Sequence, residues 1–273
     1  MDTTTLGVCS WSLQPKDKGE LLAAMKKIGF GKVQLALSPL VEEKAAWESV
    51  FGELKGEGYE VVSGMYSPLG EDYSTLETIK MTGGLAMDEV WEANQEMAKA
   101  VAEVANKNDL KVITFHAGFI PHDSSDPMFR KLCDRIVTVA DIFKDAGCET
   151  LFETGQETAD DLMAFLKVLG REDVGINFDP ANMILYGKGD PIESLRKLIS
   201  KVCQVHIKDA TATKEPGTWG AEVCVGAGEV DWNVFVKVLK DHGYDGHYVV
   251  EREAGDQRIA DIKTAGELIA DLL

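Results

Sequence analysis

Four short apolar runs in the second half of the chain each end on a residue able to bind a cation or move a proton. ETLFE ends on Glu153, VGINFD on Asp179, VCQVH on His206 and HYVVE on Glu251. Singly, a charged residue in such a place reads as a solvated rim group or a helix cap. Four in succession read differently if the runs are neighbouring strands, because the side chains then converge. Three carboxylates gathered at one point repel one another, and a bound cation removes the conflict. With one imidazole they form a hard ligand set, suited to a single Mn²⁺, Mg²⁺ or Co²⁺ ion with positions left for water or substrate. Zn²⁺ stays open, although it prefers more nitrogen or sulfur.

The elements that must position these groups follow from the hydrophobic pattern. Runs at 6–11, 32–38, 60–66, 111–118, 149–155, 174–180, 202–209 and 247–253 are rich in Val, Ile and Phe. Strands buried on both faces have that character. Between them lie amphipathic stretches at 18–29, 88–108, 129–146, 158–169, 191–200, 232–242 and 258–272. Asp190 before Pro191 reads as an N-cap with proline at the first helical position. Eight strand-then-helix units in 273 residues average roughly 34 each, the size of a (β/α)₈ barrel unit. A doubly wound sheet fits less well, since LGVCSWSLQPKDKG lacks the G-x-G-x-x-G turn. No linker or composition break divides residues 1–273, so the expected fold class is α/β, a single-domain (β/α)₈ TIM barrel. The stretch 67–87 is the longest departure and is expected to cover the barrel mouth. Chemistry in such barrels sits at the C-terminal strand ends, where the quartet falls.

Parity along the strands adds weaker candidates. Lys208 lies two residues after His206 and so points inward with it. It suits a substrate oxyanion or phosphate; alternatively it only neutralises neighbours such as Asp209. Gln156, in the tight ETGQE turn, is placed to orient a hydroxyl. Trp11 and Trp219 are candidates to stack on the apolar face of a sugar, with barrel capping and loop anchoring as their plainer roles. His116 ends the fourth run on the parity of Thr114. His122, His242 and His247 read as surface or strand-start residues.

Composition bounds the partners. Asp and Glu outnumber Lys and Arg by 46 to 28, a net charge of −18, which repels phosphate backbones and anionic membranes. No nucleic acid or membrane partner is expected, and no run is long enough to span a bilayer. The five cysteines are scattered with no C-x-x-C pair, which argues against a disulfide framework and for a reducing compartment. MDTTTLG has neither a basic nor an apolar leader region, so the expected location is cytoplasmic. The expected partner is a small carbohydrate, with association of identical chains left open.

The pieces FETGQE (152–157), NFDPANM (177–183), VHIKDA (205–210), VGAGEVDW (225–232) and VVERE (249–253) resemble the xylose-isomerase-like TIM-barrel superfamily of sugar-phosphate isomerases and epimerases. The similarity is greater to its ketose 3-epimerase and inosose dehydratase branch than to xylose isomerase itself. The resemblance implies that Glu153, Asp179, His206 and Glu251 are the metal ligands. It also implies that Glu153 and Glu251 are the acid/base pair and that His116 contacts substrate. Two departures stand out. Asn182 occupies a place where many relatives have histidine, and is counted here with the substrate shell. The epimerases' arginine after the strand-seven histidine has no counterpart in ATAT (210–213).

The expected function is therefore a divalent-metal-dependent isomerase or epimerase of a ketose, keto-polyol or sugar phosphate, moving a proton through an enediolate. The alternative is a lyase or dehydratase of inosose or keto-glycoside type, using the same α-proton abstraction. An apurinic endonuclease of the superfamily is disfavoured by Asn182 and the acidity. A non-catalytic sugar-binding barrel is disfavoured by the two glutamates.

Overall fold

The computed structural model describes residues 3–215 and 217–273. Eight parallel strands close on themselves: β1 (Gly7–Cys9), β2 (Lys32–Ala36), β3 (Glu60–Met65), β4 (Val112–Phe115), β5 (Glu149–Glu153), β6 (Val174–Phe178), β7 (Val202–Ile207) and, after a short hairpin, β10 (His247–Val250). Closure is made by β1, which pairs with β2 on one side and β10 on the other. That ring excludes the doubly wound sheet and makes the chain a single-domain (β/α)₈ barrel.

Alternation along each strand sorts side chains into two layers. In β5, Phe152 points outward and packs edge-on against Phe115 of β4 at 5.5 Å. Its neighbours Leu151 and Glu153 turn inward. Helices α1 (Lys18–Ile28), α6 (Trp91–Lys107), α7 (Pro127–Asp145), α8 (Ala159–Leu169), α10 (Pro191–Leu198), α11 (Trp232–Asp241) and α12 (Arg258–Leu272) surround the barrel. Their apolar faces bury Met25, Val101, Ile136, Phe165, Leu195, Phe235 and Ile262 against the strands. Asp17, Asp126, Thr158, Asp190 and Asp231 each cap a helix by accepting a backbone N–H. Such caps contribute about 0.5–2 kcal/mol apiece.

Four features go beyond the periodic pattern. The crossover from β2 to β3 is broken into α2 (Ser38–Glu42), α3 (Lys44–Trp47) and α4 (Val50–Gly56), with Ser49 in the left-handed region at φ 69°. The stretch 67–87 carries α5 (Leu76–Thr82) and brings Glu71 and Tyr73 to the barrel mouth. A six-residue helix, α9 (Pro180–Leu185), follows β6 at once. After β7, β8 (Asp209–Thr211) and β9 (Ala221–Val223) form an antiparallel hairpin. Its base is fixed by Asp209, which accepts N–H bonds from Gly226, Gly228, Val230 and the Trp232 indole. All five cysteines are free, and among the described residues no helix is long and apolar enough to cross a membrane.

One contact ties the fold to the strand ends. Gly155 holds φ +140°, and a Cβ there would lie 2.3 Å from the Cβ of Asn182 in α9. Gly155→Ala should therefore cost about 1–3 kcal/mol through strain and overlap. The check is the urea unfolding midpoint, and an unchanged midpoint would contradict this account of the turn.

Candidate active site

Barrel geometry brings the ends of β5, β6, β7 and β10 side by side, since these strands pair in sequence. Glu153, Asp179, His206 and Glu251 each offer a ligand atom, and the four atoms lie within 4.8 Å of one another. All four residues are buried. His206 Nδ1 stands 3.2 Å from Glu251, 3.5 Å from Glu153 and 3.8 Å from Asp179.

Each carboxylate is held by its own donors. The Asn182 amide donates to Glu153 Oε1 at 3.0 Å, and the Asn177 amide to its Oε2 at 3.3 Å. Asp179 is the N-cap of α9, with Oδ1 accepting the Asn182 N–H at 3.0 Å. The Trp11 indole donates to Glu251 Oε1 at 2.6 Å, and the Lys208 ammonium to Oε2 at 3.0 Å. Two polar atoms of the cluster are buried without a hydrogen bond: Asp179 Oδ2 and His206 Nδ1. Buried lone pairs facing one another in this way suit a divalent cation, which would satisfy both.

The orientation of His206 is set from below. Its Nε2 lies 2.7 Å from Gln34 Oε1 and 3.0 Å from the Asn177 amide nitrogen. The shorter contact, to an oxygen that can only accept, favours the tautomer with hydrogen on Nε2 and Nδ1 free when the ring is neutral. Gln34 is itself fixed: its amide donates to Thr114 at 2.7 Å, and its oxygen also accepts from Gln204 at 3.0 Å. Gln204 in turn accepts from Ser63 at 2.7 Å. A polar barrel floor thus orients a ring whose other nitrogen faces the carboxylates.

The same contacts set the charge states. Burial raises Asp179 to about 6, although Lys208 opposes this. Burial would also raise Glu251, but Lys208 and His206 outweigh it and hold the carboxyl well below its ordinary range. For Glu153, burial is outweighed by His206 and His116, and the net direction is down. Lys208 is penalised by burial, yet Glu251, Glu253 and Asp179 keep it well above the usual lysine range.

Above the cluster opens a cavity of about 630 Å³. Trp11, His116, Asn182, Lys208 and Trp219 line it with Glu153 and Glu251. His116 Nε2 is 3.7 Å from Glu153, and its Nδ1 is buried without a partner. Lys208 bonds Glu251 and, at 2.8 Å, Glu253; its partners are these two glutamates and not Asp209, which is engaged at the hairpin base. Trp219 packs edge-on against Tyr186 at 4.9 Å between ring centres. Gln156 is buried and reaches the cavity through Tyr186, whose hydroxyl lies 3.5 Å from its amide nitrogen. His122 is exposed, His242 ends α11 and His247 starts β10. A larger hollow of about 810 Å³, lined by residues of α2–α4 and α6, shares no lining residue with this one.

Glu71, Tyr73, Tyr186, Glu222 and Glu253 also line the cavity and are absent from the sequence reading. Glu253 was reachable from it, standing two residues after Glu251 on the same parity. So were Gln34, Ser63, Asn177 and Gln204, each a polar residue inside an apolar strand. Glu71 and Glu222 carry no such signal, because a long connection and a short hairpin position them.

Comparisons with known proteins agree with this architecture. The structure of a xylose isomerase domain protein from Planctomyces limnophilus superposes with a TM-score of 0.87 at 29% identity, covering 98% of this chain and 96% of that one. The 3-keto-D-glucoside 4-epimerase YcjR of Escherichia coli shares the fold, with a TM-score of 0.73 at 16% identity over 98% and 99% of the two chains. In sequence, inosose dehydratase of Clostridium perfringens is 23% identical over 141 residues, 46% of this chain and 47% of that protein. The matched stretches span about a third to a half of the curated relatives. The family model of the xylose isomerase-like TIM barrel covers residues 22–272, nearly the whole barrel, and the chain belongs to that family.

Proposed function

We propose that this protein is a divalent-metal-dependent enzyme that moves a proton on the carbon beside the carbonyl of a ketose, keto-polyol or sugar phosphate, giving an isomer or epimer through an enediolate. The observation that carries this reading is the buried quartet with two facing, unsatisfied ligand atoms, Asp179 Oδ2 and His206 Nδ1. Glu153, Asp179, His206 and Glu251 would hold one Mn²⁺, Mg²⁺ or Co²⁺ ion, which when bound lowers the barrier to ionising a C–H beside a carbonyl.

The residues around the quartet supply the rest. Glu153 and Glu251 are the two carboxylates with separate donor sets, so one can accept the proton and the other return it. Lys208, 3.0 Å from Glu251 and 3.9 Å from Asp179, stands where a developing oxyanion needs a donor. His116 and Asn182 face the cavity next to Glu153 and position hydroxyls there. Trp11 and Trp219 wall the cavity with aromatic surface, and Gln156 acts at one remove through Tyr186.

A second reading is a dehydratase, favoured by the sequence match to inosose dehydratase. The same proton is removed, and a hydroxyl on the next carbon then departs and must be protonated. Glu71 lines the cavity, and burial raises it above the ordinary carboxyl range despite the nearby His116, the direction that a group returning a proton to a leaving hydroxyl would need.

Three outcomes test these readings. Protein purified without chelator should carry about one divalent ion per chain, and a Glu153→Ala/Asp179→Ala double variant should lose it. Elemental analysis showing the same metal content in both would sink the assignment. In D₂O, a ketose or inosose turned over by the enzyme should gain deuterium beside the carbonyl, and Glu251→Gln should abolish this. Full retention of the original hydrogen would point to hydride transfer, while new ultraviolet absorbance from an unsaturated ketone would select the dehydratase. Gln34→Met should weaken Co²⁺ binding by about 10–100-fold, because the ring loses the acceptor that fixes its Nε2 hydrogen. Gln34→Glu, which keeps an acceptor, should bind better than Gln34→Met; equal loss in both would show that Gln34 only packs.

A further inference from the structure

The cavity over the quartet is rich in hydrogen-bond acceptors and poor in free cations. Five glutamates line it, Glu71, Glu153, Glu222, Glu251 and Glu253, while Lys208 is its only lysine or arginine among the described residues. That lysine is already engaged, bonding Glu251 at 3.0 Å and Glu253 at 2.8 Å, with Asp179 at 3.9 Å. Arg252, next to Glu251 in the chain, is turned to Glu222 at 2.7 Å and Asp261 at 2.9 Å. Glu222 also accepts the backbone N–H groups of Glu253 and Ala254, which pins the loop after β10 in this arrangement.

A charge ledger shows what remains for a ligand. A divalent ion set against Glu153, Asp179 and Glu251 leaves one negative charge. Lys208 then cancels Glu253, Arg252 cancels Glu222, and Glu71 brings no positive charge. Beyond the Lys208 donor already given to the reacting oxygen, no lysine or arginine among the residues described as lining the cavity is left over for a fixed anionic group. The Trp11 indole N–H is spent on Glu251 and one N–H of the Asn182 amide on Glu153, so the donors left, the second Asn182 N–H and His116, suit a hydroxyl better than a multiply charged group. A phosphate or carboxylate, made only of acceptors, would meet like charge and few donors. A sugar hydroxyl brings a hydrogen, which these carboxylates can accept. Tyr186, Trp219 and Trp11 add aromatic surface to the lining, against which the C–H side of such a ligand can pack.

From this balance we infer that the substrate is an uncharged polyhydroxy ketone, and that phosphorylated or carboxylated sugars are rejected by the Glu253–Lys208 and Glu222–Arg252 pairs. The inference rests on the proton-transfer reading above, which by itself leaves phosphorylation open. Glu253 is the specificity-determining residue: half-exposed at the rim, it occupies the lysine donor that an anion would need.

The test uses the full chain supplemented with Mn²⁺. Binding is read by Trp fluorescence quenching for D-fructose and D-tagatose, their 6-phosphates, and an inosose. At least one neutral ketone should bind, with the phosphates weaker by at least about tenfold. Glu253→Lys should shift the phosphate-to-neutral ratio toward phosphate by about tenfold or more, and Glu253→Gln should shift it less in the same direction. A phosphate that binds the unsubstituted protein as tightly as its neutral partner, or no binding of any neutral ketone, overturns the inference. Deuterium exchange on the same samples separates the two levels. A phosphorylated ketose that binds and exchanges its α-hydrogen refutes the charge argument and leaves proton transfer standing. A neutral ketone that binds without exchange does the reverse.

Discussion

Three carboxylates and an imidazole are buried together at the barrel's C-terminal end, and the surrounding structure answers to the repulsion among them. At 4–5 Å and an effective dielectric near 20, each pair of unit negative charges repels by roughly 3–4 kcal/mol. Three such pairs rival the entire net stability of a typical domain, about 5–15 kcal/mol. The chain meets this in layers. Backbone and amide donors from Asn177 and Asn182 fix the carboxylates of Glu153 and Asp179, and the Trp11 indole fixes Glu251. Lys208 adds a buried positive charge on one flank. What stays unsatisfied is Asp179 Oδ2 against His206 Nδ1, the pair that the proposed cation would satisfy.

That demand explains why the barrel interior is not wholly apolar. Gln34, Ser63, Thr114 and Gln204 form a hydrogen-bonded floor under His206, each on the inward parity of its strand. Buried polar groups of this kind are costly unless every member finds a partner. Here Ser63 donates to Gln204, Gln204 to Gln34 and Gln34 to Thr114, so the series closes on the sulfur of Met65, 3.0 Å from Thr114. The floor is a structural cost accepted to hold one ring in one tautomer.

The periodic parts of the chain announced themselves. Each apolar run contains its strand, though the strands stop short of the runs: 32–38 yields Lys32–Ala36, 174–180 yields Val174–Phe178 and 6–11 only Gly7–Cys9, while the seven amphipathic stretches become seven helices. The quartet's meeting point followed from the same pattern, since strand parity and barrel closure together dictate which side chains converge. Resemblance supplied something different, the expectation that these four groups bind metal. The walls were illegible for a physical reason. Glu71, Tyr73 and Glu222 are placed by a 21-residue connection and a three-residue hairpin strand, where neither a period of 2 nor of 3.6 operates. The same holds for α2–α4, whose short pieces follow local breaks at Glu43 and Ser49.

Asn182 shows how a departure from the family pattern can be structural and chemical at once. In α9 its backbone N–H caps onto Asp179, while its amide reaches Glu153. One residue thereby links two members of the quartet that come from different strands. An imidazole in its place would offer a nitrogen acceptor; the amide instead turns its N–H donor toward the Glu153 carboxylate. Lys208 makes the corresponding link on the other side, but outward. It joins Glu251 in the centre to Glu253 at the rim, two residues apart on one strand extension. The centre and the rim are therefore coupled through a single ammonium group. A change at Glu253 alters how much of that charge is free for a ligand while leaving all four members of the quartet in place. On the proposed reading, chemistry belongs to strand ends joined in a closed barrel, and selectivity to the Lys208–Glu253 pair, whose glutamate is half-exposed at the rim.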